Sequence, residues 1–221
     1  MPAEHTLKLP WGLDPEFEAC LAAHNRPPLP SGFPENGKVI LTVGRWDPTE
    51  RYKGADTLIS ALPRVLQGVP DAFLVLVGDG ADRPRLEQLA QECGVRERAV
   101  FLHQLTKEEL FACYSACAIF ALPSRGEGFG LVFLEAMAHG KPVIGGAHGG
   151  VPDVVEEGQT GLLVPHGAVE PLAAAIESLL ADPKSAAEMG AHGRERVRNE
   201  FTFQRFQERL ARALDDVLLR K

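Results

Sequence analysis

The chain of 221 residues is long enough to bury one sizeable core, and its 45% apolar and 24% charged residues are ordinary for a globular protein. A formal net charge of −7, without a dense block of lysine and arginine, argues against nucleic acid and anionic membranes as bulk electrostatic partners. The first five residues lack the apolar core of a leader, and no stretch approaches about 18 uninterrupted apolar residues. We therefore expect a cytoplasmic protein without a transmembrane segment.

Residues 1–37 are rich in proline and glycine and show no periodicity, which predicts a connector rather than part of a fold. Short apolar runs then alternate with amphipathic stretches. The runs lie at residues 39–43, 73–77, 99–102, 118–122, 142–144 and 161–164. The amphipathic stretches lie at residues 54–67, 82–93, 106–116 and 130–139, and further helices are predicted at 168–181, 183–199 and 202–220.

Apolar runs separated by helices indicate a parallel sheet that is covered on both faces. The predicted fold is α/β, a doubly wound parallel six-stranded sheet with helices on both faces and extra helices at the C-terminus. Ligands of such sheets bind in the crevice at the carboxyl ends of the strands.

Cys113 and Cys117 lie one helical turn apart, a spacing that suits a metal, but neither Cys20, Cys93 nor any histidine pair completes a four-ligand site. We expect small apolar side chains on a buried helix face, and no metal.

The turn after the first strand contains Gly44 and Arg45, and Lys53 lies at the predicted start of the next helix. A lysine at a helix N-terminus opposes the helix dipole. An anion between Arg45 and Lys53 would account for this placement, since an arginine fork and a lysine point charge suit a diphosphate. The alternative is that both are solvated loop residues.

A glycine-rich loop follows the fourth strand, with glycines at positions 126, 128 and 130 that open a helix. Free N–H groups at a helix N-terminus form an anion site. Glu127 on this loop either faces the same crevice or is a plain exposed acid.

The helix that follows is nearly all apolar, which predicts that it is buried. Its one acid, Glu135, needs partners, since an unpaired buried carboxylate is costly. Ligand hydroxyl groups would serve, and so would a backbone amide or Lys141.

Residues 145–153 again place bare backbone at the sheet edge. His148 is a candidate acid or base by residue type alone, or an incidental histidine. Asp153 either contacts a ligand or caps the short helix after it. Gly78-Asp79-Gly80 is an incomplete dinucleotide fingerprint, because Arg83 stands where the third glycine belongs, which disfavours an NAD-dependent oxidoreductase.

Several motifs together resemble the large retaining group 1 glycosyltransferases of the GT-B fold. They are Val43-Gly44-Arg45, Tyr52-Lys53-Gly54, Val77-Gly78-Asp79-Gly80, Glu127 and Glu135 with seven residues between them, and Gly149-Gly150-Val151-Pro152. The resemblance covers residues 38–220, and Trp11-Gly12-Leu13-Asp14 resembles the hinge that leads into the C-terminal domain of this family.

The resemblance implies that residues 38–200 bind a nucleotide sugar, a GDP- or UDP-hexose that donates a mannosyl or glucosyl group. Residues 1–37 would be an interdomain connector, and residues 201–221 a helix that packs back on an acceptor-binding N-terminal domain. That domain is absent from the sequence, so we expect little or no transfer by this chain alone. The face of this chain that the acceptor-binding domain would cover would then permit self-association.

Roles for single residues also follow from the resemblance. Arg45 and Lys53 would bind the pyrophosphate and stabilise it as it leaves, and Glu127 would contact hydroxyl groups of the transferred sugar. Glu135 would accept hydrogen bonds from the ribose. The other donor-binding candidates are His103 and Gln104 near the base, the amides of Phe129, Gly130 and Leu131 at the phosphate, and the backbone at Gly44, Gly80 and Gly128. No metal or cofactor is expected.

Two segments depart from the family's pattern. Asp153 replaces a glutamate and is shorter by one methylene, and His166-Gly167 stands where the family commonly has a different loop sequence. A non-catalytic module that binds a nucleotide or a partner chain remains the alternative function.

Overall fold

The structure, a computed structural model, describes residues 9–22 and 27–219. Six strands in this part of the chain form one sheet, and every strand pair is parallel. The strands are β1 (Lys38–Val43), β2 (Ala72–Val77), β3 (Ala99–Leu102), β4 (Ile119–Leu122), β5 (Val143–Gly146) and β6 (Gly161–Val164). Their order in the sheet is β3-β2-β1-β4-β5-β6. The predicted doubly wound six-stranded α/β fold is confirmed.

The α-helices agree with the predicted stretches to within one or two residues, apart from two. Residues 15–22 were not predicted to be helical, and the short helix predicted to follow Asp153 spans residues 151–154 and contains that residue. The α-helices are α1 (Pro15–Ala22), α2 (Ala55–Gly68), α3 (Arg83–Glu92), α4 (Lys107–Ala116), α5 (Leu131–Ala138), α6 (Val151–Val154), α7 (Val169–Ala181), α8 (Pro183–Glu200) and α9 (Phe203–Leu219). The predicted end of the last helix at residue 220 lies outside the described residues.

Side chains alternate along the strands, so each face of the sheet has its own core. Ile40 faces α2, α3 and α7, where Leu58, Ile59 and Leu172 are buried. Leu41, the next residue along β1, faces the other way, in the cluster that holds Tyr114 of α4 and residues of α5 and α8. Each large apolar side chain that is fully buried contributes about 1.5–3 kcal/mol, which is why the runs without charges form the centre of the sheet.

The strand order reverses direction between β1 and β4, which are neighbours in space. From β1 the chain moves outward through β2 to β3, and from β4 it moves outward the other way through β5 to β6. The chain therefore leaves β1 and β4 toward opposite sides of the sheet, and a crevice is expected at the carboxyl edge between these two strands.

One prediction for the N-terminal region is wrong, because residues 15–22 form helix α1 rather than irregular connector. Asp14 accepts a hydrogen bond from the Glu16 N–H at 2.7 Å, as a residue before a helix does, and Pro15 suits the first helical position. The helix is only eight residues long, so it lacks the repeated apolar spacing that reveals longer helices.

Residues 11–13 contact residues 201–206, where α9 begins. The Leu13 N–H donates to the Phe201 carbonyl at 2.7 Å, and the rings of Trp11 and Phe206 stack in parallel with centroids 5.6 Å apart. A Cβ atom added at Gly12 would lie 2.7 Å from the Thr202 carbonyl oxygen, so only glycine allows this approach.

Candidate functional site

Two loops face each other at the crevice, residues 44–54 after β1 and residues 123–130 after β4. The Arg125 N–H donates to the Tyr52 carbonyl at 2.9 Å. A Cβ atom added at Gly54 would lie 2.7 Å from the Pro123 carbonyl oxygen, so the two loops are in direct backbone contact. Their side chains are thereby held in a fixed relation to each other.

The facing loops bring cations and carboxylates into an alternating row, which we call the charge row: Arg45, Glu50, Lys53 and Glu127. Arg45 hydrogen-bonds to Glu50 Oε1. Lys53 Nζ lies 3.3 Å from Glu50 Oε2 and 3.5 Å from Glu127 Oε1. Opposite charges this close attract strongly where water is partly excluded, and about 85% of each of the Lys53 and Glu127 side chains is buried, with 15% and 16% exposed.

Glu127 Oε1 is buried and lacks a hydrogen bond within the described residues, although the Lys53 ammonium is close enough for an ion pair. A buried carboxylate oxygen with no donor still has the capacity to accept one. The charge row can therefore offer positive groups and an acceptor to one ligand at the same edge.

Glu50 was not singled out in the sequence. It is 8% exposed and lies in a short 3₁₀ helix, Pro48–Lys53, that Asp47 caps by accepting from the Thr49 N–H at 3.0 Å. Lys53 is the last residue of this turn rather than the start of α2. Asp47-Pro48 is a helix-start signal that would have predicted this turn and with it the three-residue spacing of Glu50 and Lys53.

The 3₁₀ helix is anchored to α3 by a network behind the charge row. The Asp82 carboxylate accepts from Arg51 Nη2 at 2.8 Å and from Arg85, which also reaches Asp56 at 2.7 Å. The hydrogen bonds from Arg85 and Arg51 lower the pKa of Asp82 from 3.8 to about 2, although burial acts in the opposite direction.

Helix α5 begins at the floor of the crevice. Gly130 precedes it with φ 85°, a left-handed conformation that glycine adopts without strain. Leu131 is exposed rather than buried, so the prediction that this helix is buried all round holds only from Phe133 onward. The Phe129 ring packs edge-on against Phe201, and a Cβ atom added at Gly128 would meet nothing within 4 Å, so there is open space beside Gly128.

The glycines after β5 have a packing role that the sequence did not indicate. The Gly150 N–H donates to the Glu127 carbonyl at 2.9 Å, and a Cβ atom added at Gly149 would lie 2.6 Å from that oxygen. These glycines support the loop that carries Glu127. His148 and Asp153 are exposed, and helix α6 starts after Gly150 without a side-chain cap, so Asp153 does not cap it.

Glu135 lies on the second turn of α5, and its partner is neither a backbone amide nor Lys141. The Tyr114 hydroxyl donates to Glu135 Oε2 at 2.6 Å. Burial raises the pKa of Glu135 above its ordinary value, and the hydrogen bond from Tyr114 partly offsets that rise. Glu135 lines a cavity of about 410 Å³ together with Asp14, Phe17 and Lys107.

The remaining candidates lie along the same edge of the sheet. Gly44 follows β1 and donates to the Val77 carbonyl at 3.0 Å, and the Gly80 N–H donates to the Asp79 carboxylate at 2.8 Å. His103 and Gln104 follow β3 and are exposed. Gln104 has φ 53°, an uncommon conformation for a residue that is not glycine, and one that turns the backbone sharply after the strand.

The cysteines behave as the sequence predicted. All four are free thiols, and Cys113 and Cys117 are buried against the core, where burial raises the pKa of each thiol to about 12. Thiols held neutral in this way serve as small apolar side chains.

Fold and site together define an α/β domain with a charged crevice at the topological switch point of a doubly wound sheet. The chain belongs to the family described as glycosyl transferases group 1, whose profile matches residues 28–196.

The chain is 40% identical over 163 residues to the GDP-mannose-dependent alpha-(1-6)-phosphatidylinositol monomannoside mannosyltransferase of Mycolicibacterium smegmatis. The match covers 71% of this chain and 42% of that protein, so the chain spans less than half the length of this relative.

Solved structures of similar fold include a sucrose-phosphate synthase from Thermosynechococcus elongatus, with 34% identity and a TM-score of 0.76 over 96% of this chain and 50% of that chain. Another is the Anabaena protein Alr3699/HepE in complex with UDP-glucose, with 29% identity and a TM-score of 0.72 over 82% of this chain and 49% of that one. In the described part of this chain, no helix has both the length and the apolar character needed to span a bilayer.

Proposed function

We propose that this chain binds a nucleoside-diphosphate hexose and forms the donor half of a retaining glycosyltransferase. One observation carries the proposal: the charge row places Arg45 and Lys53 on a single buried carboxylate, Glu50, at the edge of the sheet where α5 begins. Two cations that reach the same carboxylate are close enough to reach one diphosphate. GDP-mannose and UDP-glucose are the donors to test first. A relative is named for its dependence on GDP-mannose, and a protein of similar fold is solved in complex with UDP-glucose.

In the proposed reaction the bond between the anomeric carbon and the diphosphate oxygen breaks, while an acceptor oxygen bonds to the same carbon from the same face. The departing phosphate takes the acceptor's proton. Arg45, Lys53 and the first amides of α5 would stabilise the charge on the leaving diphosphate, and Glu127 would hold hydroxyl groups of the hexose. The roles of Gly44, Gly80, His103, Gln104 and Gly128 in holding the nucleotide stay predictions.

We propose further that the site needs no divalent metal, since two side-chain cations and a helix N-terminus already supply positive charge there. The acceptor would bind to a second domain, and the chain alone would transfer little sugar. A cytoplasmic location is consistent with four free cysteines.

Calorimetric titration of the chain with GDP-mannose, UDP-glucose, GDP and UDP tests the proposal. We expect one of the two nucleotides to bind measurably, unchanged by EDTA, and sugar transfer to be negligible. Lys53→Met should weaken binding of the diphosphate about tenfold or more, because a charge-assisted contact in a partly buried site is lost.

Lys184→Met is the matched control, because that lysine is exposed at the start of α8 and pairs only loosely with Glu188 at 4.0 Å. Equal affinity of the Lys53 and Lys184 variants would refute the assignment of the charge row. Nucleotide binding that survives Lys53→Met and Arg45→Met together would instead favour the alternative, a non-catalytic module that binds its ligand elsewhere.

A further inference from the structure

A buried tyrosine outside the charge row donates its hydroxyl group to a residue of the proposed site. Tyr114 is fully buried in α4, and its only hydroxyl group donates to Glu135 of α5 at 2.6 Å. We infer that Tyr114 is a positioning residue that holds the Glu135 carboxylate in the orientation that accepts hydrogen bonds from ligand hydroxyl groups. The inference rests on the proposed function and on the role that the motif resemblance implies for Glu135, which is to accept hydrogen bonds from the ribose of the nucleotide.

Aromatic neighbours fix the ring of Tyr114. His139 stacks on it with an interplanar angle of 20° and a centroid distance of 5.7 Å, and Phe17 meets it edge-on at 6.1 Å. Phe120 of β4 packs against it with centroids 5.9 Å apart. A ring confined in this way can point its hydroxyl group in few directions, so the position of the acceptor oxygen is defined by the packing.

The backbone of Glu135 is held by the same cluster. His139 Nδ1 lies 2.9 Å from the Glu135 carbonyl oxygen, which links the end of α5 to the same aromatic cluster. The hydrogen bond from Tyr114 uses Glu135 Oε2 and leaves Oε1 as the second acceptor of the carboxylate. An acceptor already oriented before the ligand arrives binds more tightly, since less side-chain freedom is lost on binding.

Tyr114 also keeps its proton, so its role in the hydrogen bond is that of the donor. Burial and the adjacent Glu135 raise the pKa of the Tyr114 hydroxyl well above 10. The same hydrogen bond favours the ionised form of Glu135, which burial opposes. Without the hydroxyl group, the carboxylate would be freer to rotate and easier to protonate.

A ligand that lacks the ribose hydroxyl groups isolates this effect. We would compare the dissociation constants of GDP and 2′,3′-dideoxy-GDP, with UDP and its dideoxy analogue as a second pair, for wild type, Tyr114→Phe and Glu135→Ala. We expect wild type to prefer the ribonucleotide, Glu135→Ala to lose that preference, and Tyr114→Phe to reduce it about five- to tenfold. In a Glu135→Ala background, Tyr114→Phe should cause no further change.

The control for packing is Phe120→Leu. This substitution loosens the ring cluster around Tyr114 but leaves the Tyr114 hydroxyl group in place. It should lower stability and leave the preference for ribose intact. If it lowers the preference as much as Tyr114→Phe does, the effect belongs to packing and the inference is wrong.

The ribose contact of Glu135 and the positioning role of Tyr114 predict different outcomes. If wild type does not distinguish the ribonucleotide from its dideoxy analogue, the ribose contact of Glu135 is wrong and the role of Tyr114 is wrong with it. If Glu135→Ala abolishes the preference but Tyr114→Phe leaves it unchanged, the ribose contact stands and only the positioning role is overturned.

A second measurement keeps the hydroxyl group in place, in case Tyr114→Phe does not fold. The chain has two tyrosines, so 3-fluorotyrosine incorporated into a Tyr52→Phe variant reports on position 114 alone. We expect GDP to shift the fluorine resonance at least twofold more than 2′,3′-dideoxy-GDP does. Equal shifts with the two ligands would contradict the inference.

Discussion

At the scale of single residues, the charge row alternates positive and negative side chains along one edge of the sheet. Arg45 and Lys53 are the residues that the sequence singles out, but Glu50 and Glu127 are their partners in the structure. Each cation therefore has a carboxylate within reach, and no charge in the row is left buried alone. In the proposed function, a diphosphate would replace these carboxylates as the partner of Arg45 and Lys53.

We predict that Glu50→Gln lowers the free energy of unfolding by about 1–3 kcal/mol, because it removes a charge-assisted hydrogen bond from Arg45 and an ion pair with the mostly buried Lys53. Urea unfolding followed by circular dichroism measures the change. Glu188→Gln is the control, since that carboxylate is 65% exposed in a loose pair, and it should cost less than about 0.5 kcal/mol. Equal costs for the two variants would show that Glu50 is not held as described.

At the scale of elements, the sheet and most of the helices follow from periodicity, because short apolar runs that alternate with amphipathic stretches are typical of strands buried on both faces. The 3₁₀ helix did not follow from periodicity. Its position depends on Arg51, which is held by Asp82 at the start of α3, about thirty positions along the chain. Such a long-range anchor is invisible in local spacing.

We predict that Asp82→Asn removes an acid-dependent part of the stability. The folded-state pKa of Asp82 is lowered to about 2 from 3.8, so its contribution is complete above pH 3.8 and is lost as the pH falls toward 2. At neutral pH the variant should be less stable by about 1.5–3 kcal/mol, the usual worth of hydrogen bonds to a charged group. Below pH 3 the difference between wild type and variant should shrink.

Urea unfolding at several pH values between 2 and 7 measures this difference. Asp215→Asn, at an exposed position of α9, is the control and should track wild type at every pH. A difference between wild type and Asp82→Asn that is independent of pH would contradict the assigned ion pairs.

At the scale of the whole molecule, the contact between the chain ends decides where α9 lies. The backbone at Gly12 lies in close contact with the backbone at Thr202, and the Phe203 N–H donates to the Glu18 carboxylate at 2.9 Å. These contacts hold the start of the last helix beside the segment that leads into α1. The outer side of α9 carries an exposed apolar stripe made of Leu210, Leu214, Val217 and Leu218. Self-association through the uncovered interdomain face stays a prediction, to be checked by sedimentation at several concentrations.

We predict that Gly12→Ala loosens α9 without unfolding the sheet, because the added Cβ atom would meet backbone atoms of Thr202 and Phe203 at 2.7–2.9 Å. Limited proteolysis should cut α9 about tenfold faster, since local opening becomes easier by roughly 1.4 kcal/mol. Gly68→Ala, where an added Cβ atom meets only side-chain atoms at 3.8 Å, should be cut as slowly as wild type. An unchanged rate of α9 cleavage in the Gly12 variant would contradict this prediction, because it would show that the contact between Gly12 and Thr202 accommodates a Cβ atom.

The sequence by itself determined the fold class, the six strands, most of the helices and the edge of the sheet where the site lies. It could do so because each of these depends on local apolar spacing and on one rule about strand ends. The motif resemblance added expected roles for single residues, among them Lys53 and Glu127, which the structure brings within 3.5 Å.

Only the tertiary structure decided what those residues touch. Glu50 and Tyr114 come from turns and faces that local spacing does not single out, yet each contacts a residue of the proposed site. Helix α1 and the backbone contact at Gly12 likewise depend on segments far apart in sequence. The physical reason is common to all of them: a buried charge or a close backbone contact is stable only through its partner, and the partner is fixed by packing rather than by neighbours along the chain.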